Sequence, residues 1–350
     1  MNIYCLDQAA AKPDEAARQA AELRQSQLTK PPGALGRLEE AAIQLAALQG
    51  REKPQLENIQ ITVFAGDHGV AAEGVSAFPQ AVTAEMVKNF SRGGAAICVC
   101  ARAIGAELEV INLGTAHDTG SLGNVKNLNL GAGTANFTQQ AAMTESQLSA
   151  ALNAGQEVIV RTQLAGADLF IGGEMGIANT TAASAIAAAL LNVPVAQLVG
   201  PGTGIDAAGI QHKTEVIQTA LERHQAAMVT PLDVLRCLGG FEIAALVGAY
   251  LNCAQSRLPV LVDGFISSVA ALMAARLCIS AEKWFIFSHV SGEPGHQSVL
   301  KALNGQPLLA LEMRLGEGSG AAIAVPLLRM ACALHNEMAT FDEAAVSEKL

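Results

Sequence analysis

The chain has 350 residues, of which 51% are hydrophobic and 15% charged, so it can bury a large core and is not a disordered protein. A formal net charge of -10 and an isoelectric point near 5.2 argue against a nucleic-acid-binding surface or a surface for acidic membranes. We find neither a signal-peptide pattern nor an uninterrupted apolar run of membrane-spanning length, and we therefore expect a cytoplasmic protein with no nucleic-acid or membrane partner.

The seven cysteines are odd in number, widely spread and mostly set in apolar runs, which predicts buried, reduced thiols. Cys98-Val-Cys100 has neither a zinc-site nor a redox-motif spacing. The cysteines are Cys5, Cys98, Cys100, Cys237, Cys253, Cys278 and Cys332.

The chain begins with two predicted amphipathic helices. The first opens at Pro13-Asp14-Glu15 and is interrupted at Pro31-Pro32-Gly33, and the second covers Leu35 to Leu48. Residues Arg51 to Asn58 resemble a linker. Two helices before any strand predict a helical accessory part.

From residue 59 onward, predicted strands alternate with helical segments. This alternation predicts βαβ units and a mostly parallel, doubly wound α/β sheet with right-handed crossovers. Residues Thr115 to Gly133 are polar and glycine-rich and are predicted to form a loop. The predicted strands are Ile59–Phe64, Leu108–Gly114, Asp168–Ile171, Val195–Val199, Pro259–Gly264 and Trp284–Phe287, followed by an apolar run from Pro307 to Leu315 that we also interpret as a strand.

Most of these strands end in glycine-bearing loops with polar side chains. In a parallel sheet all carboxyl ends lie at one edge, so these loops are expected to meet in one crevice. Backbone N–H groups in such turns bind anions, which predicts a phosphorylated substrate. The loops are Gly66–Gly69, Gly173–Gly176, Gly200–Gly204, Asp263-Gly264, Ser288–Gly292 and the turn around Glu317.

Three polar positions have alternative interpretations. Glu317, between two glycines, is either a catalytic base or ligand clamp, or a charge on the first turn of the next helix. Asp67-His68 is either a charged pair at a site or an Asp–His hydrogen bond that holds a turn. Lys213 is either a phosphate contact or an exposed lysine.

Several standard motifs fail on inspection. Gly316-Glu317-Gly318-Ser319-Gly320 is not a nucleophile elbow, because Glu317 occupies the position two before Ser319. Gly202-x-Gly204 and Gly316-x-Gly318 fit only a relaxed dinucleotide fingerprint, without a second strand that ends in an acid. The spacing of His289, Glu293 and His296 does not favour zinc.

Six motifs occur in order along the chain: Lys30–Glu39, Asp67–Val70, Gly173–Thr181, Gly239–Phe241, Leu261–Phe265 and Arg314–Gly320. Together they resemble the nicotinate-nucleotide:dimethylbenzimidazole phosphoribosyltransferase family of cobalamin lower-ligand synthesis. The resemblance covers the chain from about Lys30 to His335. It implies a Rossmann-like α/β domain over residues 59–320 and a small helical domain built from residues 1–50 and 321–350. It also implies a homodimer without metal or cofactor.

The resemblance implies transfer of phosphoribose from nicotinate mononucleotide to 5,6-dimethylbenzimidazole or a related base, with inversion. The products are α-ribazole 5'-phosphate and nicotinate. The family's general base matches Glu317, and by its motif Glu174 is the second catalytic acid, with Asp263 behind it. The expected substrate contacts are Gly176, Asn179, Thr203, Gly204, Lys213, Ser291, Gly292 and Leu315.

Phe78 and Met86 are expected in the base pocket, where some family members present polar groups. This difference leaves the physiological base open. Two other functions remain as alternatives at this point: a NAD-dependent oxidoreductase, motivated by the glycine fingerprints, and a non-catalytic nucleotide-binding protein on the same fold.

Overall fold

The computed structural model describes residues 8–347, in which six strands and thirteen α-helices are found. The strands are β1 Ile59–Gly66, β2 Glu107–Gly114, β3 Val125–Asn127, β4 Leu169–Met175, β5 Val260–Val262 and β6 Phe285–Phe287. The helices are α1 Glu15–Gln27, α2 Arg37–Gln49, α3 Ala81–Ser91, α4 Ala96–Ile104, α5 Glu145–Leu164, α6 Asn179–Leu191, α7 Ala207–His224, α8 Pro231–Leu238, α9 Phe241–Ser256, α10 Phe265–Leu277, α11 Gly295–Ala302, α12 Ser319–Glu337 and α13 Phe341–Ala344.

The strands form one sheet in the order β3-β2-β1-β4-β5-β6, and every pairing is parallel. The chain moves from β1 outward to β3 and then returns to the other side of β1 with β4. This reversal is the topological switch point at which doubly wound sheets bind ligands. The predicted Rossmann-like fold is therefore confirmed.

The sheet is buried on both faces, which is why its strands are continuous apolar runs rather than alternating ones. Val63, Ile171 and Leu261 have no exposed surface. Helices α5 and α9 pack on each other, and α9 also packs on β1 and β4. Small residues allow this close approach, since a Cβ on Gly155 would lie 1.8 Å from the Ala245 carbonyl oxygen.

The two ends of the chain meet. Helix α1 packs on α2, and α2 packs on α12. The Arg24 guanidinium donates to the backbone oxygens of His335 at 2.7 Å and Asn336 at 2.9 Å. Helix α12 also packs on α4 and β4, so it joins the chain ends to the sheet. The division into two domains stays a prediction, and its outer limits at residues 1 and 350 lie outside the described residues.

Three local predictions were wrong. Residues 195–199 form a short 3-10 helix, Val195–Gln197, because β4 pairs directly with β5 and no position remains for a strand between them. The run Pro307 to Leu315 forms only an isolated bridge between Leu309 and His289, beyond the end of β6. Within the segment predicted as a loop, Val125–Asn127 adds an edge strand.

The six cysteines among residues 8–347 are unpaired, as predicted, and Cys100 is half-buried while the other five are buried. Cys5 lies outside the described residues. None of the helices in the described part is long and apolar enough to cross a membrane.

Candidate active site

The loops after β4, β5 and β6 open into a cavity of about 350 Å³, closed on one side by α3 and on another by the segment before α12. Ten of the residues predicted for the site line it, and they come from six separate segments of the chain. They are Phe78, Met86, Glu174, Gly176, Asn179, Thr203, Asp263, Ser291, Leu315 and Glu317.

Three predicted residues do not line the cavity. Gly204 lies at the end of the 200–204 loop, where its N–H donates to the Pro201 carbonyl oxygen. The N–H of Gly292 donates to the Met313 carbonyl oxygen at 3.0 Å. Lys213 is 1% exposed and reaches the cavity wall through Thr180, whose Oγ1 accepts a bond from Nζ at 2.7 Å.

Glu317 is held in a left-handed turn, with φ values of +88° at Gly316, +63° at Glu317 and +85° at Gly318. Glu317 Oε2 accepts a bond from the Ile97 N–H, at the start of α4, at 3.2 Å. Burial, and to a lesser extent the charge of Asp263, raises the pKa of Glu317 above its ordinary value. The result is a carboxylate with one oxygen fixed and the other left for a ligand.

Glu174 ends β4 beside this turn. Asn179, in the first turn of α6, donates from Nδ2 to Glu174 Oε2. Burial raises the pKa of Glu174 well above its ordinary value, and the charges of Glu242, Asp263 and Glu317 add to the effect. The two segments touch closely, because a Cβ on Gly316 would lie 2.2 Å from Glu174 Oε1.

Asp263 follows β5 and completes an acidic end of the cavity. Its Oδ1 accepts a bond from the Ala321 N–H at 2.8 Å and lies 3.7 Å from Nε2 of His289. Burial disfavours the charged form of His289, but the hydrogen bond and charge of Asp263 outweigh it, and the pKa of His289 is raised. This end of the cavity therefore holds three carboxylates, one of which, Asp263, lies beside an imidazole.

Ser291 is positioned by a buried histidine. Its N–H donates to His296 Nδ1 at 2.8 Å, and His296 Nε2 lies 2.9 Å from Ser268 Oγ. Because the backbone nitrogen can only donate, the proton of the neutral ring is on Nε2. Burial lowers the pKa of His296 to about 3, so the ring is neutral and its role is to hold the loop after β6.

The other end of the cavity carries mixed charge. Glu293 and Arg314 lie in the cavity wall, and Lys213 lies behind the wall in contact with Thr180. Arg314 Nη1 donates to the Gly202 carbonyl oxygen at 3.2 Å, while the Gly202 N–H donates to Glu293 Oε1 at 3.0 Å. Two cations and one carboxylate thus surround a single glycine.

The mouth of the cavity is apolar. Phe78 is 52% exposed and Leu315 61% exposed, and Val82 and Met86 project from α3 into the same wall. The segment that carries Phe78 is tied to the 200–204 loop, because Thr203 Oγ1 accepts a bond from the Ala77 N–H at 3.0 Å. This mouth can accept a flat, hydrophobic ring.

Asp67 and His68 do not line the cavity and do not hydrogen-bond to each other, so the interpretation of the pair as an Asp–His hydrogen bond that holds a turn is wrong. Asp67 Oδ1 accepts a bond from Thr83 Oγ1 at 2.6 Å, and His68 Nε2 lies 2.6 Å from Glu242 Oε1. Both residues are fully buried. Gly240 is required here, since its Cβ would lie 2.2 Å from the His68 ring.

The sequence analysis missed Thr180, His289, Glu293 and Arg314 as members of the cavity wall. Each is adjacent to, or within a few residues of, a predicted site residue, and this proximity was the available signal. No group of three or more metal-ligating side chains occurs among the described residues. The relaxed fingerprint at Gly202 follows a 3-10 helix, and the one at Gly316 follows an irregular segment, so neither has the strand-turn-helix context of a dinucleotide site.

A family model described as phosphoribosyltransferase matches residues 10–346. A nicotinate-nucleotide–dimethylbenzimidazole phosphoribosyltransferase of Pseudomonas aeruginosa is 63% identical over 332 residues, which are 95% of this chain and 94% of the relative. The enzyme of the same name from Pseudomonas putida is 60% identical over 336 residues, 96% of each chain. The crystal structure of the Thermus thermophilus enzyme of that name superposes with a TM-score of 0.90 at 44% identity and covers 96% of this chain and 100% of that one.

Proposed function

The chain belongs to the nicotinate-nucleotide–dimethylbenzimidazole phosphoribosyltransferase family, and from its cavity we propose which residues perform each part of the reaction. The enzyme transfers phosphoribose from nicotinate mononucleotide to dimethylbenzimidazole in cobalamin synthesis. A NAD-dependent oxidoreductase is not favoured. The observation that carries the assignment of roles is the distribution of charge: the buried carboxylates Glu174, Asp263 and Glu317 lie at one end of the cavity, and at the other two cations, Lys213 and Arg314, accompany the single carboxylate Glu293.

In nicotinate mononucleotide the ring nitrogen is a pyridinium, which leaves as a neutral pyridine and needs no general acid. One nitrogen of the incoming benzimidazole attacks the anomeric carbon as the bond to nicotinate breaks. The proton on the other nitrogen must then be lost. We propose that Glu317 accepts it, since a buried carboxylate with a raised pKa is a stronger base than a free one.

Positive charge develops on the ribose ring while the old bond breaks and the new one forms. We propose that Glu174, with Asp263 behind it, stabilises this charge electrostatically. Asn179 fixes the orientation of the Glu174 carboxylate by its hydrogen bond. Attack from the face opposite nicotinate converts the β linkage to the α linkage.

At the cationic end, we propose that the 5'-phosphate is held by Lys213 and Arg314. Gly176, Thr203 and Ser291, which line the cavity, would complete this binding site, whereas the N–H groups of Gly204 and Gly292 are already bonded to backbone carbonyl oxygens. Two cations within reach of Gly202 outweigh the single carboxylate there, which supports anion binding in a protein of acidic net charge.

We propose that the base enters at the apolar mouth and packs against Phe78, Met86 and Leu315. Leu315 and Phe78 are unusually exposed for large apolar side chains. Further exposed apolar residues on α4 and α12, namely Val99, Ile323 and Met330, lie on helices that pack together. We propose that these exposed side chains contribute to a homodimer interface.

We further propose that the enzyme works in the cytoplasm, where a reducing environment suits the unpaired thiols of the described chain.

The test of these roles is a mass-resolved assay of nicotinate release and riboside phosphate formation with a panel of bases. Wild-type enzyme is expected to convert 5,6-dimethylbenzimidazole to α-ribazole 5'-phosphate. A Glu174→Gln variant is expected to lose turnover while retaining nucleotide binding. Full turnover by this variant would remove Glu174 from the proposed mechanism.

A further inference from the structure

We infer that Glu293, a buried carboxylate in the cavity wall, is a positioning residue that sets the affinity of this site for the phosphate group of the nucleotide. It does so by fixing the 200–204 loop and by keeping Lys213 positively charged. The inference rests on the proposed phosphate role of Lys213. This role of Glu293 is separate from the proton transfer proposed for Glu317 and from the stabilisation of ribose charge proposed for Glu174.

The first observation is an unpartnered oxygen. Glu293 is 5% exposed, and its Oε1 accepts a bond from the Gly202 N–H at 3.0 Å. Its Oε2 is buried without a hydrogen-bond partner among the described residues. A buried carboxylate oxygen without a partner is costly, so its retention in a cavity wall indicates an interaction with a charge or a ligand.

The second observation is the crowding of the loop around this carboxylate. A Cβ on Gly200 would lie 2.2 Å from Glu293 Oε2. Gly202 has a φ of +51°, and a Cβ there would lie 2.7 Å from Thr180 Oγ1 and 3.3 Å from Lys213 Nζ. Gly202 therefore lies against the Thr180 hydroxyl and the Lys213 ammonium group on one side, while its N–H donates a hydrogen bond to Glu293. The carboxylate fixes the loop against the cation.

The third observation concerns the charge of Lys213. Burial lowers the pKa of Lys213 to about 8, and among residues 8–347 the charged group that opposes this effect is Glu293. Of the other groups around the ammonium, Thr180 on α6 and Gly202 in the loop are uncharged, and Arg314 lies against the Gly202 carbonyl oxygen. Without the carboxylate, Lys213 would lose its proton at a lower pH.

These contacts give a specific expectation for Glu293→Gln. The amide is nearly isosteric and can still accept the Gly202 N–H bond, so the loop retains its anchor while the charge is lost. If the pKa of Lys213 falls by about one unit, the fraction of protonated lysine at pH 8 drops about fivefold. At pH 6 the lysine stays protonated in both proteins.

The test measures binding rather than turnover, so it does not depend on the assigned activity. Isothermal titration gives the dissociation constants of nicotinate mononucleotide and of nicotinate riboside, which lacks the phosphate, at pH 6 and pH 8. Glu293→Gln is expected to weaken mononucleotide binding about fivefold at pH 8 and by less than about twofold at pH 6, with riboside binding unchanged. Lys213→Met is expected to weaken mononucleotide binding at both pH values.

The matched control is Glu215→Gln, which removes an exposed carboxylate from the same helix as Lys213 and should change neither constant. Thermal unfolding midpoints establish that each variant is folded. Equal loss of mononucleotide and riboside binding in Glu293→Gln would overturn the inference, as would unchanged mononucleotide binding at pH 8. Lys213→Met with full mononucleotide affinity would instead contradict the proposed phosphate role of Lys213.

Discussion

Replacement of Glu317 by Gln tests the central step of the reaction with the smallest change in shape. In the native enzyme Oε2 accepts the Ile97 N–H bond, and Oε1 has no hydrogen bond within residues 8–347. In the variant the amide oxygen can keep the bond to Ile97. The NH₂ group then occupies the place of Oε1, where it donates hydrogen bonds and cannot take a proton.

The expected loss follows from the role of the carboxylate. General-base assistance is worth about 10²- to 10⁴-fold, which corresponds to roughly 2.7–5.4 kcal/mol of transition-state stabilisation. We expect Glu317→Gln to lower kcat by at least about 100-fold. The dissociation constant of nicotinate mononucleotide should change little, because the proposed phosphate site, at Lys213 and Arg314, lies at the opposite end of the cavity.

The pH profile gives an independent check. A base acts only when ionised, so activity of the wild-type enzyme should fall as the pH falls through the pKa of Glu317, which lies above its ordinary value. Glu317→Gln should lose the contribution of Glu317 to this acidic limb, while any contribution of Glu174, whose pKa is also raised, remains. The assay is nicotinate release under saturating dimethylbenzimidazole across the pH range. Glu312→Gln, an exposed carboxylate in the same segment, is the matched control. A kcat within about threefold of wild type would refute proton transfer to Glu317.

Three further predictions concern stability and assembly. Gly316→Ala should lower both the unfolding temperature and kcat. The added methyl group would lie 2.2 Å from Glu174 Oε1, and residue 316 has a φ of +88°, which is unfavourable for alanine. An unchanged melting curve would contradict the close contact. Glu242→Ala should lower the free energy of unfolding, measured in urea, by about 3–5 kcal/mol, because it leaves His68 buried without its partner. A decrease of less than about 1 kcal/mol would show that the His68–Glu242 pair contributes little to stability. Met330→Asp should yield monomers in light scattering if α12 forms the dimer interface, and an unchanged mass would place the interface elsewhere.

The sequence predicts the sheet well where strands are long and β-branched. Ile59–Gly66 and Glu107–Gly114 were found nearly at their predicted limits. The short apolar run at residues 195–199 was misread because periodicity cannot separate a short strand from other buried structure, and only the direct pairing of β4 with β5 resolves it. The strand Val125–Asn127 escaped notice because an edge strand of three residues carries little pattern.

The site was predictable to the extent that its residues sit in glycine-bearing loops at strand ends. Glu174, Asp263 and Glu317 were all placed in one crevice by this reasoning, and they do line one cavity. Glu293 was considered only as a metal ligand and rejected. Its bond to Gly202 joins residues far apart in the sequence, and no local pattern reveals such a contact.

The meeting of the chain ends has a consequence for biosynthesis. Helices α1 and α2 leave the ribosome first, but α12, on which α2 packs, is among the last elements made. Contacts between such distant segments form late in folding. The entropy of closing the long intervening loop is lost before the contacts between its ends contribute any stabilising free energy. The apolar faces of the first two helices therefore stay uncovered while the sheet is being assembled, which is the condition under which nascent chains need chaperones. Premature termination before residue 319 would remove helix α12, which packs on α2, and would disrupt the turn that contains Glu317. Truncated products should therefore be insoluble as well as inactive.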